Sequence, residues 1–285
     1  MTLRWRHRLE WFLAKLVWAL FGALPLDWAS ALGGGIGRTL GPLTRAHRRA
    51  IANLRRALPE VDAEATAMRM WDNLGRTVAE FPHLAAMRLG RELTVEGAER
   101  IEALKTDGRP GILLAGHLGN LEAAALSVSR LGLPLTVIYR AANNPLVDAM
   151  IRDMRAHYSE AHVNKGAEGA RAILATLKAG GHLGMMSDQK LNEGVAVPFF
   201  GRDAMSAPAW AKFALRYRCP VVIALVERLE GARFRVVFRP PLDLPDSGDA
   251  EADTVTLIRA YHRELEDWIR PRPWQWFWVH RRWPD

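Results

Sequence analysis

The sequence predicts an α/β protein in which a single domain with a mixed sheet follows an N-terminal hydrophobic helix. From residue 92 onward, short apolar runs of strand length alternate with segments of helical pattern. One such unit, residues 111–126, passes from an apolar run through a Gly-bracketed turn into strong helix formers. No internal repeat or low-complexity linker divides the chain. We therefore predict a basic N-terminus with a hydrophobic membrane anchor at residues 1–43 and one α/β domain at residues 44–285.

The predicted anchor is apolar and has a basic flank. Residues 11–26 are apolar apart from Lys15. Three arginines, Arg4, Arg6 and Arg8, precede them. The run is shorter than the roughly 20 residues of a perpendicular span. We expect either a short span with Lys15 reaching the interface or a helix that lies in the interface. The basic flank would keep the N-terminus cytoplasmic. A buried core helix is the alternative.

The remaining elements follow in chain order. A Gly-rich stretch at 33–42 indicates a loop or close helix packing, and polar helices are predicted at about 44–58 and 62–87. Strands are predicted at 92–95, 111–115, 134–140, 182–189, 195–200, 220–228 and 233–240, the last two as a hairpin. Helices are predicted at 97–105, after the turn at 116–120, and at 143–158, 169–179, 208–217 and 252–269.

Composition limits the classes of partner. The 285 residues have a formal net charge of +8, which favours an anionic partner such as nucleic acid, anionic lipid or an acidic carrier protein. No nucleic-acid-binding module is recognisable. The 11 Trp residues indicate a membrane interface, unless most of them lie in the core. The single cysteine, Cys219, excludes an internal disulfide framework and fits a reducing compartment.

The turn at residues 116–120 is the strongest candidate for a site. It follows a buried strand, and α/β proteins place reactive groups at the carboxyl ends of strands. His117 lies in the turn and Glu122 in the first turn of the following helix. If the two side chains are hydrogen-bonded, the carboxylate fixes the tautomer of the ring and His117 acts as a general base toward a hydroxyl. The alternative is a loop histidine and a carboxylate that complements the helix dipole.

Two other strand ends carry polar groups. One predicted strand ends in Tyr139 and Arg140, and a later one delivers Asp188. The Arg140 guanidinium could clamp a phosphate or stabilise developing negative charge, or form an ordinary salt bridge. Asp188 could orient Arg140 or His117, or cap the turn that follows it.

Other motifs give no site. The tetrapeptide Gly-His-Leu-Gly occurs at 116–119 and again at 181–184, where His182 begins an apolar strand and lacks an acid at the corresponding position. We interpret His182 as structural. The remaining histidines complete no zinc set, and neither an esterase G-x-S-x-G nor a dinucleotide-binding G-x-G-x-x-G follows a strand.

Several segments, taken in order, resemble the late acyltransferases of lipid A biosynthesis. This lauroyl and myristoyl type uses acyl carrier protein and belongs to the lysophospholipid-acyltransferase-like superfamily. Besides the N-terminal anchor, the motifs are Asn73-Leu74-Gly75-Arg76-Thr77, Glu80-Phe81, Gly116-His117-x-Gly119-Asn120-x-Glu122, Tyr139-Arg140, Ser187-Asp188-Gln189, Val197-Pro198-Phe199-Phe200-Gly201 and Trp276-Phe277-Trp278-Val279-His280-Arg281-Arg282-Trp283. The resemblance covers nearly the full chain. Glycerolipid acyltransferases usually have Asp where this chain has Glu122, and Glu is typical of the lipid A branch.

The resemblance implies a glycerolipid-acyltransferase type of fold and a bacterial inner-membrane enzyme whose active site faces the cytoplasm. The enzyme would transfer an acyl chain from acyl carrier protein to a hydroxyl of a Kdo-bearing lipid A precursor, with His117 as general base and Glu122 orienting it. The substrate-binding set that the resemblance implies comprises Asn120, Tyr139, Arg140 and Asp188. No metal or nucleotide cofactor is expected, because the thioester is already activated. The expected partners are acyl carrier protein, the phosphorylated glycolipid acceptor and anionic lipids of the inner membrane.

Two alternatives are open on the sequence. An acyltransferase of the same architecture that acts on a lysophospholipid or a mannolipid would share His117 and Glu122 and differ in its acceptor pocket. A non-catalytic peripheral protein would bind anionic lipid through a basic, Trp-rich surface, and its function would depend on arginine clusters rather than on His117.

Overall fold

The computed structural model of the chain describes residues 5–164 and 167–283. Its helices are α1 (Trp5–Gly22), α2 (Leu26–Leu40), α3 (Arg45–Ala57), α4 (Ala63–Glu80), α5 (Ala98–Thr106), α6 (Ala123–Arg130), α7 (Pro145–Arg155), α8 (Ala167–Lys178), α9 (Ala209–Tyr217) and α10 (Ala250–Ile269). Its strands are β1 (Leu93–Glu96), β2 (Gly111–Ala115), β3 (Thr136–Tyr139), β4 (Ala161–Asn164), β5 (His182–Met186), β6 (Val195–Phe199), β7 (Arg202–Ser206), β8 (Val221–Arg228) and β9 (Phe234–Phe238). Arg4 of the predicted basic flank lies outside the described residues. So do the first residues of the predicted anchor segment and the last two residues of the predicted α/β domain.

A large, mostly parallel sheet forms the centre of the molecule. The strand order is β1-β9-β8-β2-β5-β3-β4. Neighbouring strands are parallel except β8 and β9, which form the predicted antiparallel hairpin. Strands β6 and β7 form a separate antiparallel pair. The predicted α/β class with a mixed sheet is confirmed.

Parallel pairing aligns two strand ends at the middle of this sheet. Strand β2 pairs with β5 so that Ala115 lies opposite Met186. The residues two positions further along each strand are His117 and Asp188. Because both strands run the same way, these two residues leave the sheet at the same edge.

The Gly-rich stretch forms a helix rather than a loop. It lies in α2, which packs closely against α4: a Cβ at Gly37 would lie 2.1 Å from the Trp71 carbonyl oxygen, and one at Gly33 2.5 Å from that of Gly75. Side chains at these positions would therefore push the two helices apart. Of the two alternatives that the glycines leave open, close helix packing is confirmed.

Two strands were not predicted from the sequence. Strand β4 is four residues long at the edge of the sheet, and β7 is the return strand of the small hairpin. Strand β7 has neither an apolar run nor an alternation, and the alternation of Ala161, His162, Val163 and Asn164 in β4 is only four residues long. Their conformation follows from pairing with β3 and β6, so the local sequence alone does not reveal them.

The C-terminal tail belongs to the core. Trp276, Trp278 and Trp283 are at most 3% exposed, and their rings contact one another. Asn53 on α3 donates hydrogen bonds to the Trp278 and His280 carbonyls, which fixes the tail against the helical layer. The interpretation of the tryptophans as a membrane-interface belt is therefore wrong for this segment.

The N-terminal helix is exposed along one side. Trp5, Phe12, Leu16 and Leu20 of α1 are each more than half exposed. On its other side, the His7 carbonyl accepts a hydrogen bond of 2.9 Å from Asn144, just before α7. Helix α1 is therefore not the buried core helix that the sequence left open. The domain division at residue 43 stays a prediction.

None of the helices within residues 5–164 and 167–283 has the length and apolar character that a membrane crossing requires.

Candidate active site

The His117 ring is hydrogen-bonded to Asp188 across the two aligned strand ends. The His117 Nδ1 atom lies 2.7 Å from Asp188 Oδ1, and the His117 backbone N–H donates to Asp188 Oδ2 at 2.7 Å. The Trp276 indole N–H donates to the same Oδ2 at 2.8 Å. Three donors thus hold a carboxylate that is only 2% exposed. Asp188 is fixed in one orientation, and it fixes the ring in turn.

The charge of Asp188 is stabilised by this arrangement. Burial by itself would raise the pKa of the Asp188 carboxyl, but the His117 ring, its two N–H donors and the Trp276 indole hold that pKa well below its usual range. Asp188 is therefore a carboxylate at neutral pH. An ionised acceptor at Nδ1 keeps the Nδ1–H tautomer of His117 and leaves the lone pair on Nε2.

A side-chain amide covers the second nitrogen of this histidine. Gln189 Nε2 lies 2.8 Å from His117 Nε2 and 2.8 Å from His280 Nε2, so the amide can donate one hydrogen to each ring. Burial, with further contributions from His117 and Arg49, lowers the pKa of His280 to about 4. His280 is neutral at pH 7 and adds no charge next to His117.

A buried network under the turn fixes its backbone. Gly119 has φ +54°, which favours glycine, and its carbonyl accepts hydrogen bonds from Asn73 at 2.9 Å and from Thr77 at 3.2 Å. Glu80, fully buried, forms an ion pair with Arg228 and accepts from Asn120 at 2.9 Å. The motif at residues 73–77 therefore stabilises the backbone of the turn at residues 116–120.

Glu122 lies elsewhere than predicted. Its buried carboxylate forms an ion pair with Arg155, whose Nε lies 3.1 Å from Oε2, and accepts a hydrogen bond of 2.6 Å from the Tyr158 hydroxyl. Both nitrogens of His117 are bound to other side chains. The predicted hydrogen bond between His117 and Glu122 is thus not formed, because the neighbouring strand supplies a closer carboxylate. Asp188 contacts the ring instead. Orienting His117 was one of the alternatives predicted for Asp188.

The Glu122 cluster joins two helices at the edge of the site. Burial and the Glu122 carboxylate both raise the pKa of the Tyr158 phenol, so its hydroxyl remains a hydrogen-bond donor. Burial would lower the pKa of Arg155, but the ion pair with Glu122 raises it. The cluster therefore carries one positive and one negative charge, and it ties the start of α6 to the end of α7.

The remaining predicted site residues are divided between interior and surface. Asn120 is fully buried; its amide nitrogen donates to Glu80 and its oxygen accepts from the Glu122 backbone N–H, so the side chain does not face a substrate. Tyr139 donates to Asp148 at 3.2 Å and packs edge-on against His162. Arg140 is exposed at the end of β3 and, in the described part of the chain, forms no ion pair, neither with Asp188 nor otherwise.

Two cavities meet at Leu121. One, of about 100 Å³, is lined by His117 together with Leu74, Trp276, Phe277 and other residues of α4 and the tail. The second, of about 50 Å³, lies between α6 and the sheet, and its lining is almost entirely apolar. Leu121 lines both, so a single side chain separates the apolar cavity from the cavity that His117 lines.

Sequence reasoning missed Gln189, His280 and Arg155 as members or neighbours of the site. The first two lie within motifs that carry the resemblance, Ser187-Asp188-Gln189 and the C-terminal tail, so the motif positions were the available signal. Arg155 has no such signal, because it lies 33 residues from its partner Glu122.

The arrangement can accept a proton from a hydroxyl. An oriented carboxylate, a histidine tautomer with its lone pair on Nε2, and an adjoining apolar cavity are the parts of a general-base site for an acyl-transfer reaction. Among the described residues, no serine or cysteine side chain is hydrogen-bonded to the His117 ring, as an enzyme nucleophile would be. Direct attack by a substrate hydroxyl requires none.

Comparison with known proteins gives a consistent result. The family model described as "Bacterial lipid A biosynthesis acyltransferase" matches residues 2–285. A lipid A biosynthesis acyltransferase of Haemophilus influenzae is 25% identical over 272 residues, which is 91% of this chain and 83% of that protein. A lipid A biosynthesis myristoyltransferase of Escherichia coli is 24% identical over 255 residues, which is 86% of this chain and 77% of the relative.

Proposed function

Because the chain belongs to the bacterial lipid A biosynthesis acyltransferase family, we propose that it transfers a fatty acyl chain from acyl carrier protein to a hydroxyl of a Kdo-bearing lipid A precursor. The observation that carries the proposal is the hydrogen bond of 2.7 Å between His117 Nδ1 and Asp188 at the carboxyl edge of the sheet. It supplies the oriented general base that transfer to a hydroxyl needs.

In the proposed reaction His117 handles one proton. Its Nε2 takes the proton of the acceptor hydroxyl as the oxygen attacks the thioester carbonyl, and Asp188 stabilises the imidazolium. The tetrahedral oxyanion then collapses, the C–S bond breaks, and His117 returns the proton to the leaving thiolate. No metal or nucleotide enters, because the thioester is already activated.

Gln189 must yield for this step. Its amide nitrogen lies 2.8 Å from the Nε2 that has to accept the proton. The acceptor hydroxyl therefore displaces the Gln189 amide from His117. Once displaced, the amide remains close to the reacting carbonyl as a donor for the oxyanion.

Glu122 has an indirect role in this proposal. The orienting function that the resemblance assigns to it belongs to Asp188, which contacts the ring. Glu122 instead positions the turn by holding the start of α6 against Arg155 and Tyr158. Arg140, exposed at the same edge of the sheet, keeps its expected role of binding an anionic group of a substrate.

The apolar cavity supports the donor side of the proposal. Its lining, which includes Leu113, Ala125, Val128 and Met185, is apolar, and Leu121 separates it from the cavity that His117 lines. With a volume of about 50 Å³, it has room for a short segment of a fatty acyl chain, whose burial there would remove apolar surface from water. The strongly basic chain likewise suits acyl carrier protein, an acidic partner.

The location that we propose is the cytoplasmic face of the bacterial inner membrane. The exposed side of α1, with Phe12, Leu16 and Leu20, supports insertion into the interface, and the exposed Arg8 and Lys15 provide charge for anionic headgroups. This arrangement is an interfacial helix, one of the two forms expected for the anchor.

Acyl transfer by the purified protein in detergent tests the function. Acyl carrier proteins with different chain lengths are offered to a Kdo-bearing lipid A precursor, and product masses are read. We expect a mass gain of one acyl chain with wild type and with the His182→Ala control, and none with folded His117→Ala.

The other outcomes separate the alternatives. Transfer only to a lysophospholipid or a mannolipid would keep the reaction and overturn the acceptor. Transfer that survives His117→Ala would overturn the mechanism. Binding to anionic vesicles without transfer to any acceptor would indicate the non-catalytic lipid-binding protein.

A further inference from the structure

An arginine-rich cleft lies behind the site. It has a volume of about 560 Å³ and is bounded by α2, α4, the β8–β9 hairpin and the segment after α10. Among the described residues, its charged lining consists of Arg38, Arg69, Arg76, Arg228, Arg272, Asp72 and Glu227. Arg228 is neutralised by its ion pair with the buried Glu80, which leaves four arginines against two carboxylates, so the surface of the cleft is positive.

The carboxylates do not neutralise these arginines one by one. Asp72 is shared by Arg38 and by Arg76, whose Nε lies 2.6 Å from Oδ2. Glu227 is likewise shared, by Arg272 in the cleft and Arg235 outside it. The shared Asp72 leaves Arg38 and Arg76 with one counter-charge between them, whereas Arg235 also contacts Glu96 at 3.4 Å.

Arg69 has the least compensated charge. Its guanidinium lies 3.2 Å from the centre of the Trp274 ring. Within residues 5–164 and 167–283 no carboxylate forms an ion pair with it, and burial lowers its pKa. A guanidinium stacked on an indole keeps its N–H donors in one plane and free for a second partner, which suits a phosphate oxygen.

The cleft is next to the reacting groups. Asn73 and Gln275 line both the cleft and the His117 cavity, so the two spaces share a wall. Asn73 also donates to the Gly119 carbonyl of the catalytic turn at 2.9 Å. A ligand of lipid size that binds in the cleft can therefore reach His117 with another part of the same molecule.

The cleft also adjoins an apolar surface. Arg38 lies on α2, and Leu32, Ile36 and Leu40 of the same helix are 46%, 42% and 55% exposed. An amphiphile can place its tails along this side of α2 and its anionic headgroup at Arg38. A soluble donor protein has no use for the apolar side.

We propose that this cleft binds a phosphate monoester of the glycolipid acceptor, with Arg69 and Arg38 as its principal ligands. The inference rests on the proposed function for the identity of the acceptor. A phosphate monoester carries between one and two negative charges at neutral pH, whereas the phosphodiester of a carrier prosthetic group carries one. The shared Asp72, and Arg69 with no ion pair among the described residues, favour the more highly charged group.

The variant Arg69→Gln tests the assignment, with Arg259→Gln on α10, an exposed arginine distant in sequence, as the matched control. We expect the KM for the phosphorylated acceptor to rise by about 10-fold with kcat unchanged, because one charged hydrogen-bonding partner is lost. With dephosphorylated acceptor, wild type and Arg69→Gln should behave alike. A rise in the KM for acyl carrier protein instead would overturn the proposal.

Direct binding keeps this test separate from that of the reaction. Calorimetry uses the deacylated, water-soluble headgroup of the lipid A precursor with and without its phosphates, and inorganic phosphate alone. Binding of the phosphorylated headgroup that weakens in Arg69→Gln supports the cleft even if no transfer is found. Equal affinity for inorganic phosphate, or no loss in the variant, would overturn the assignment to the glycolipid.

Discussion

The same four residues, Gly-His-Leu-Gly, occupy opposite ends of two neighbouring strands. The first copy, residues 116–119, follows β2 at its carboxyl end, and the second, residues 181–184, opens β5 at its amino end. The two strands are parallel, with Gly111 opposite His182. His117 and His182 therefore lie at opposite edges of one sheet.

The two histidines differ in their partners. The His117 ring is hydrogen-bonded to a buried carboxylate and an amide. The His182 ring is hydrogen-bonded to the Leu104 carbonyl at 3.0 Å, and burial lowers its pKa. The strand end, and not the tetrapeptide, therefore determines the partners of each histidine, because carboxyl ends of adjacent parallel strands bring distant polar residues together.

The largest difference between the two histidines is expected when each imidazole is removed in turn. We expect His117→Ala to lower kcat/KM for acyl transfer by about 10³–10⁴-fold, since the general base is lost. His182→Ala should leave it within about twofold. Initial rates of both purified variants check this. Equal losses would mean that the position in the sheet does not separate the two histidines.

The next effect concerns the partner of His117. Asp188→Asn preserves the shape but removes the charge that holds the Nδ1–H tautomer, so kcat should fall by about 10²–10³-fold with little change in KM. Steady-state kinetics and a thermal melt measure both. An active Asp188→Asn protein would show that the contact between the strands is not what orients the base.

Glu122 gives a contrasting prediction, because its carboxylate contacts Arg155 and Tyr158 and not the His117 ring. Glu122→Gln leaves the Arg155 charge buried without a counter-charge, and we expect a loss of about 3–5 kcal/mol in unfolding free energy. The folded fraction should retain most of its kcat. Urea denaturation, combined with rates at low temperature, separates the two effects. The control Tyr158→Phe, which removes one hydrogen bond, should cost about 1 kcal/mol. A stable but inactive Glu122→Gln would favour the direct orienting role.

A third histidine extends the comparison to pH. His262 is 1% exposed, and burial together with Arg282 lowers its pKa to about 4. Between about pH 6.5 and 4 the unfolded state binds a proton that the folded state does not, so stability should fall as the pH is lowered through this window, by up to about 3 kcal/mol. Thermal melts across that range check it. The slope should be smaller in His262→Phe, and an unchanged slope would contradict the prediction.

The smallest effect belongs to His182. His182→Ala removes the hydrogen bond to the Leu104 carbonyl, which joins β5 to the end of α5. We expect a loss of about 1 kcal/mol in unfolding free energy, measured by chemical denaturation. A loss of unfolding free energy as large as that of Glu122→Gln would contradict this prediction. It would mean that the His182 ring stabilises the amino end of β5 by more than its hydrogen bond to Leu104.

Much of the fold follows from local sequence. The apolar runs of β2, β5 and β8 and the helical periods around them predict the α/β class and most element positions, because side-chain period and turn chemistry act over a few residues. The same reasoning places His117 and Asp188 at strand ends. The short edge strand β4 and the polar strand β7 are not predicted in this way, because their structure depends on pairing with a neighbour.

The tertiary structure alone decided which carboxylate serves His117. Glu122 is five residues away in sequence, but α6 turns its side chain toward α7, while the parallel register of β2 and β5 brings Asp188 from 71 residues away to 2.7 Å. Sequence spacing reports contacts along one helix or strand, and strand pairing is a long-range event. The sequence therefore determined the fold class and the position of His117 at a strand end, and the sheet determined the hydrogen-bond partner of that histidine.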